Sequence, residues 1–442
     1  MSNILYPTSN PLALEQVNIS HGKGIYLYDD KGKQYIEGLA GLWCSSLGYG
    51  NDELIETMTQ QMERLSYSHL FGGKTHQLSI DLADKLSAMV NVDKARVFFG
   101  NSGSDANDSL LKMVHYYNQV RGVPEKRKII SRKNAYHGVT MAAATLTGIE
   151  SNHRNFNLPF DALGVLRVDA PHYYRNGLAG ESEGEFCDRL IAQLEEVIEA
   201  ESPDTIAAFI AEPIMGAGGV IVPPEGYFAR IQQILKDNDI LFLDDEVICA
   251  FGRTGNDFGA TTFGFQPDTM TLAKGLSSAY FPISASVISD EIHQKIVQGS
   301  SEVGVFGHGY TYSGHPVGCA AALKTLQIYE RDKLYEQAAD NGVYMHNRLA
   351  AAFAENEYVG QIRGVGLIAG IQFVADKEKK VFFSDNSFVV KCQKQCEKNG
   401  LILRALADST LAICPPLIIT KQEIDDLVDI VQRSVEQVIY EQ

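Results

Sequence analysis

The chain alternates short apolar, β-rich runs with longer stretches in which apolar positions return every three or four residues. Between residues 94 and 290 the short runs are "RVFF", "KIIS", "VLRV", "TIAAFIAEPI", "ILFLDD", "TMTLA" and "SASVIS". Their length and composition predict strands. Intervening stretches such as "SDANDSLLKMVHYYNQV", "FCDRLIAQLEEVIEAE" and "GYFARIQQILKDN" have helical spacing. Strands and helices in alternation predict an α/β domain around a largely parallel, seven-stranded sheet. After Pro316 the pattern changes to one long helical stretch ending near Phe353, followed by strands around "GLIAGIQFV" and "LILRAL". The last helix opens on a capping box, Thr420 with Glu423, and places Ile424, Leu427, Val428, Val431 and Val435 on one face. This predicts a second, smaller α+β domain. "GIYLYDDKGKQYIEG" predicts a hairpin around Asp30 to Gly32. The expected organisation is a segment 1–50 packing with the smaller domain, a large domain 51–325 and a small domain 326–442.

Composition narrows the function. A chain of 442 residues, 45% hydrophobic and 21% charged, can bury a substantial core. Its net charge of −17 opposes binding to phosphate backbones and anionic lipid, so neither nucleic acid nor a membrane is an expected partner. The opening "MSNILYPTSNPLALEQ" has no basic leader followed by an apolar run, and no stretch nears about 18 unbroken apolar residues, so a soluble, cytoplasmic protein is expected. Seven dispersed cysteines argue against a disulfide framework. Cys392 and Cys396 share a helix face without further ligands nearby in sequence, and no metal site is expected.

Several motifs carry chemistry. In "PDTMTLAKGLSSAYFPISASVISD", Lys274 is the sole charged side chain between Asp268 and Asp290. Such a lysine either snorkels to solvent or sits in a partly dry site where its pKa falls and it becomes a nucleophile. "FFGNSGSDAND" passes from a strand into a helix, so the amides of Gly103 and Ser104 can receive an anion such as a phosphate monoester. The alternative there is a simple N-cap by Ser102 or Ser104. "RGVGLIAG", Arg363 to Gly370, runs into a strand instead of a helix, which discounts a nicotinamide site. In "ILFLDDEVICAFGRTG" a strand ends in three acids, and successive residues face opposite ways, so Asp244 and Asp245 cannot both line a crevice. The acids otherwise cap the loop or pair with Arg253. "NAYHG" offers Tyr136 and His137, an aromatic face and an imidazole, just after a strand. A phosphate cradle, an aromatic plate, a strand-end aspartate and an isolated lysine together describe a pyridoxal 5'-phosphate site.

The motifs "GLWCSSLGYG", "NSGSDAND", "AYHG", "AEPIMGAGG", "DDEVICAFGRTG", "TLAKGLSS", "GYTYSGHPVG" and "LILRALADSTLAICPPL" occur in one order along the chain. In these the sequence resembles the class III, subgroup II, aminotransferases of the fold-type I pyridoxal phosphate enzymes, nearly end to end. The resemblance implies a Schiff base at Lys274, a salt bridge from Asp245 to the pyridine nitrogen, Tyr136 and Val247 on the two ring faces, and Gly103 and Ser104 on the phosphate. His137 is expected beside the cofactor and Glu212 near the ring hydroxyl. Thr311 would reach the phosphate of a neighbouring subunit, implying a homodimer with shared sites, with a tetramer also open. Trp43, Ala217 and Arg404 look most like the ω-amino acid and amine transaminases that use pyruvate. "SGSDAND" stands where "SGSEAND" is usual, and "SHLFGG", with Leu70 and Phe71, stands where an aromatic-rich substrate pocket wall is expected. The implied activity is transfer of an amino group from a primary amine or ω-amino acid to pyruvate or another 2-oxo acid. An aminomutase or an amino acid epimerase on the same scaffold is the alternative. Taurine, β-alanine, 4-aminobutyrate, putrescine and a bulky amine all stay open as donors.

Overall fold

The computed structural model describes residues 3–10, 12 and 15–441. Three antiparallel strands come first, β1 (Ile19–Lys23), β2 (Tyr26–Asp29) and β3 (Gln34–Glu37), the last two forming a hairpin around Asp30 to Gly32. The seven apolar runs become β4 (Arg96–Gly100), β5 (Lys128–Arg132), β6 (Val165–Val168), β7 (Ile206–Ala211), β8 (Leu241–Asp245), β9 (Thr269–Leu272) and β10 (Ser284–Ile288). They build one sheet in the order β4-β10-β9-β8-β7-β5-β6. β10 is antiparallel to both neighbours, and the remaining pairs are parallel. β7, β9 and β10 are buried at every position, as strands covered on both faces must be, and β7 is apolar throughout. Because the other six strands run one way, their C-terminal ends share an edge. The loops leaving that edge are where ligands bind in open α/β sheets.

Beyond the sheet the chain departs from its expected pattern in three places. The long helical stretch is two helices, Pro316–Arg331 and Leu334–Ala352, broken where Lys333 turns left-handed at φ +52°. The first crosses residue 325, so the expected boundary falls inside a helix that packs on Asp52–Arg64 and Gln77–Met89. "LILRAL" splits as well. After β11 (Val359–Val365) and β12 (Ile368–Phe373), it yields β13 (Leu401–Ile402) and β14 (Arg404–Leu406), and β15 (Thr410–Ile413) follows. β13 pairs in parallel with β3, giving the sheet β1-β2-β3-β13, whereas β14 joins β11-β12-β15-β14. This break at Leu403 puts Arg404 on the first residue of β14.

β11 and β12 form an antiparallel hairpin, so "RGVGLIAG" is the end of one strand, a turn at Gly366 and Leu367, and the start of the next. The final helix, Lys421–Tyr440, keeps the Thr420–Glu423 capping box and buries Ile424, Leu427, Val428, Val431 and Val435. Cys392 and Cys396 are buried on the inner face of Ser387–Lys398. Among the described residues no three His, Cys, Asp or Glu side chains gather to hold a metal, and no helix is long and apolar enough to cross a membrane.

Candidate active site

At the C-terminal edge of the large sheet lies a cavity of about 420 Å³ whose walls include Trp43, Gly103, Ser104, Tyr136, His137, Glu212, Ala217, Asp245, Val247, Lys274 and Arg404. Nearly every one follows from the strand that precedes it. Asp245 is the last residue of β8, Glu212 directly follows β7, and Lys274 lies two residues past β9. Gly103 and Ser104 open the helix Gly103–Val120 after β4, and Tyr136 and His137 lie in the loop after β5.

The anion cradle is built from a capped helix. Ser102 is the N-cap and forms a reciprocal box with Asp105, which leaves Ser104 free of capping duty. The first amides of the helix have no carbonyl four residues back, so Gly103 and Ser104 offer N–H donors to the cavity. A Cβ on Gly103 would meet Val247 Cγ2 at 2.8 Å. The turn therefore needs glycine for its close approach to Val247. Ser104 Oγ accepts from the Val139 amide at 3.1 Å, and neighbouring Gly138 sits at φ +131° against the same serine.

The acids divide by face. Asp245 lines the cavity and its Oδ2 lies 2.8 Å from Asn107 Nδ2 and 2.7 Å from His137 Nδ1, while Oδ1 accepts from the Val247 amide at 3.2 Å. Asp244 points the other way, and burial followed by repulsion from Glu246 and Asp245 pushes its carboxyl well above the usual range. Burial raises Glu246 too, although its Oε1 accepts from the Ala260 amide at 2.7 Å. Among the described residues Arg253 takes no acid partner, and it donates to the carbonyls of Leu367 and Pro415. Glu212 bridges two backbone amides, Tyr136 to Oε1 and Gly216 to Oε2, both at 3.0 Å, and burial lifts its pKa.

Lys274 is half-buried, and burial lowers its pKa against the opposing pull of Cys44, Asp245 and Glu212. Its φ of +48° and that of Trp43, +58°, are left-handed for side chains that disfavour this conformation. Strain of this kind gathers at functional sites. The Trp43 ring centroid lies 5.6 Å from Lys274 Nζ and 5.5 Å from Arg404 Cζ. Among the described residues no carboxylate pairs with Arg404, and burial lowers its pKa.

Three expected site residues stand outside this cavity. Leu70 and Phe71 line a separate groove of about 650 Å³ with Phe98, Phe99, Val305 and Phe306. Thr311 is exposed beside it, where its carbonyl accepts from Tyr67 Oη at 2.8 Å. Asn107 and Thr271, which support Asp245, are functional candidates that the motif reading passed over.

The class-III aminotransferase family model matches residues 9–435. The chain belongs to the class-III aminotransferases. It is 47% identical to the omega transaminase from Pseudomonas jessenii solved in complex with PMP, covering 99% of this chain and 96% of that one with a TM-score of 0.96. It is 45% identical to the mitochondrial gamma aminobutyrate transaminase 1 of Solanum lycopersicum, covering 95% of this chain and 80% of that protein. The diaminobutyrate–2-oxoglutarate transaminase of Halomonas elongata is 43% identical, with 95% and 90% covered. The fold is that of the fold-type I transferases, and the protein is an aminotransferase that passes an amino group to a 2-oxo acid. Class-III aminotransferases depend on pyridoxal phosphate.

Proposed function

We propose that this aminotransferase holds pyridoxal 5'-phosphate in the cavity described and moves an amino group from a primary amine or ω-amino acid to a 2-oxo acid, with pyruvate the first candidate. The observation that carries this reading is the convergence of Lys274, Asp245 and the Gly103–Ser104 amides on one cavity. The group also fits the polar atoms there. His137 Nε2 and Trp43 Nε1 are buried without protein partners, and both residues line the cavity. Gly103 and Ser104 would hold the phosphate, Asp245 Oδ1 would face the ring nitrogen, and Tyr136 and Val247 would flank the ring.

When bound, the cofactor supplies a carbonyl carbon that captures the amine and a ring that accepts the electrons released as the substrate C–H bond breaks. Lys274 Nζ would carry that proton, and burial, which lowers its pKa, favours the free amine that can do so. The Asp245 carboxylate holds a proton on the ring nitrogen. Glu212 positions the Tyr136 backbone through its Oε1 contact. An assay of amino donors against pyruvate and 2-oxoglutarate tests the reading. Turnover without any 2-oxo acid would point instead to an isomerase, which returns the proton within one substrate.

Arg404 is the cavity's second cation and is proposed to bind the acceptor carboxylate. One pocket must take first an amine whose substituents are apolar and then an anionic keto acid. A long, unpaired guanidinium meets both demands by pairing bidentately with the carboxylate and turning aside for the amine. Charge-assisted hydrogen bonds worth about 1.5–3 kcal/mol imply that Arg404→Ala weakens use of the keto acid by about ten- to 150-fold. Reaction with a neutral amine should be almost unaffected. Single-turnover kinetics of each half-reaction checks this, and an equal loss in both removes the switching role.

Thr311, Leu70 and Phe71 are proposed to act from a second copy of the chain. In support, Phe71, Val305 and Tyr312 are 51%, 61% and 59% exposed along one surface, an apolar area that a partner would cover. A dimer of one Lys274→Ala subunit and one Thr311→Ala subunit then has one doubly damaged site and one intact site. Equal mixing with full subunit exchange should restore about a quarter of wild-type activity, since half the dimers are mixed. If a damaging Thr311→Ala variant gains nothing on mixing, Thr311 does not act across the interface.

A further inference from the structure

The helix Gly103–Val120 turns toward the sheet a polar side chain that no step above uses. Asn107 is 2% exposed, one turn beyond the anion cradle. Its Nδ2 donates to Asp245 Oδ2 at 2.8 Å and to the His137 carbonyl at 2.7 Å, and its Oδ1 accepts from Thr271 Oγ1 at 2.7 Å. The direction of the amide follows from its partners. A carboxylate and a carbonyl oxygen only accept, so both Nδ2 hydrogens face them and Oδ1 is left for a donor, which the Thr271 hydroxyl supplies. Thr271 and Asp245 are register partners on β9 and β8, and both are buried. Asn107 therefore lies across a matched pair of strand residues, in a place where lost bonds are not replaced by bulk water.

This one amide touches three elements that each carry part of the site. Its own helix begins with Gly103 and Ser104, Asp245 ends β8, and Thr271 lies three residues before Lys274 on β9. We propose that Asn107, oriented by Thr271, is a positioning residue: it holds the Asp245 carboxylate in register with the phosphate-binding turn and with the strand that delivers Lys274. The inference rests on the cofactor site proposed above. The phosphate end and the nitrogen end of one rigid ring would be held by different elements, so a carboxylate free to rotate would leave the ring nitrogen without its partner. Asn107 removes that freedom by committing Oδ2, which turns Oδ1 to the cavity.

The test uses the holoenzyme and three variants. Asn107→Leu removes the whole bracket at similar volume, Thr271→Val removes only the hydroxyl that orients it, and Thr271→Ser keeps that hydroxyl. The readouts are cofactor release during dilution, visible circular dichroism of the bound cofactor, and kcat and KM for the amine. Asn107→Leu is expected to release cofactor about tenfold faster and to lower kcat by about tenfold, with KM changed by less than about twofold. Thr271→Val should change the dichroism and kcat in the same direction by about threefold, and Thr271→Ser should match wild type. If Asn107→Leu is not recovered folded, the two Thr271 variants decide. Wild-type dichroism and wild-type kcat in Thr271→Val, or equal losses in Thr271→Val and Thr271→Ser, would overturn the proposal. A wild-type protein that bound no pyridoxal phosphate would overturn the site reading and this inference with it, whereas unchanged variants of a cofactor-loaded protein overturn the inference alone.

Discussion

Lys274→Ala is expected to abolish turnover, with a fall of about 10⁴-fold, the upper end of what a positioned proton carrier contributes. Two losses combine in it. On the proposed site, the protein loses the amine that would join the cofactor covalently and the base that would act at the substrate carbon. The cavity keeps Gly103 and Ser104 at the helix start, so the variant should still retain cofactor through its phosphate. Wild-type protein should hold the cofactor covalently and Lys274→Ala only without a covalent bond, so the visible absorbance maximum should differ between the two. Borohydride treatment followed by peptide mapping should place the cofactor on Lys274 in wild type. Attachment at another lysine would refute the assignment. The choice among the chain's lysines rests on place: among the described residues Lys274 is the lysine that lines the cavity, burial lowers its pKa, and its Nζ lies 5.6 Å from the Trp43 ring.

Local pattern carried much of this site because each motif sits where a strand ends. An apolar run that stops at an acid, a lysine or a glycine-rich turn announces both the strand and the edge that lines the cavity, as "ILFLDD" does for Asp245. Alternation along the strand separated Asp244 from Asp245 in advance, although it did not choose between them. What the sequence hid depends on distant partners. Asn107 reads as one more polar residue in a helix, yet its partners Asp245 and Thr271 lie 138 and 164 residues away. β11 carries Arg363, which looks like a break in a strand until it is seen donating to the Gly219 and Val220 carbonyls. No glycine or proline announces the helix break at Lys333. Leu70, Phe71 and Thr311 pose a different difficulty: if a second chain completes the pocket, no reading of one chain can place them beside Lys274.

Asp245→Asn is expected to bind cofactor and lose about 10²–10³-fold in kcat, the range found when an electrostatic partner of a reacting centre is removed. The surroundings dictate which way the new amide turns. Asn107 Nδ2 and His137 Nδ1 both donate toward the position of Oδ2, so the remaining carbonyl oxygen must stay there. The new NH₂ then takes the place of Oδ1, beside the Val247 amide and facing the cavity. A donor would confront the ring nitrogen where an anion is needed, and a neutral amide cannot hold a proton on that nitrogen. Asp244→Asn makes the contrast. Asp244 faces away from the cavity, and burial first, then Glu246 and Asp245, raises its pKa and so disfavours its charged form. Replacing an acid whose charge is disfavoured, on the face away from the cavity, with an amide of the same shape changes little, so kcat should stay within about twofold of wild type. Steady-state kinetics of the two variants, each shown to be loaded with cofactor, decides the matter, and equal losses would remove the assignment of Asp245 as the partner of the ring.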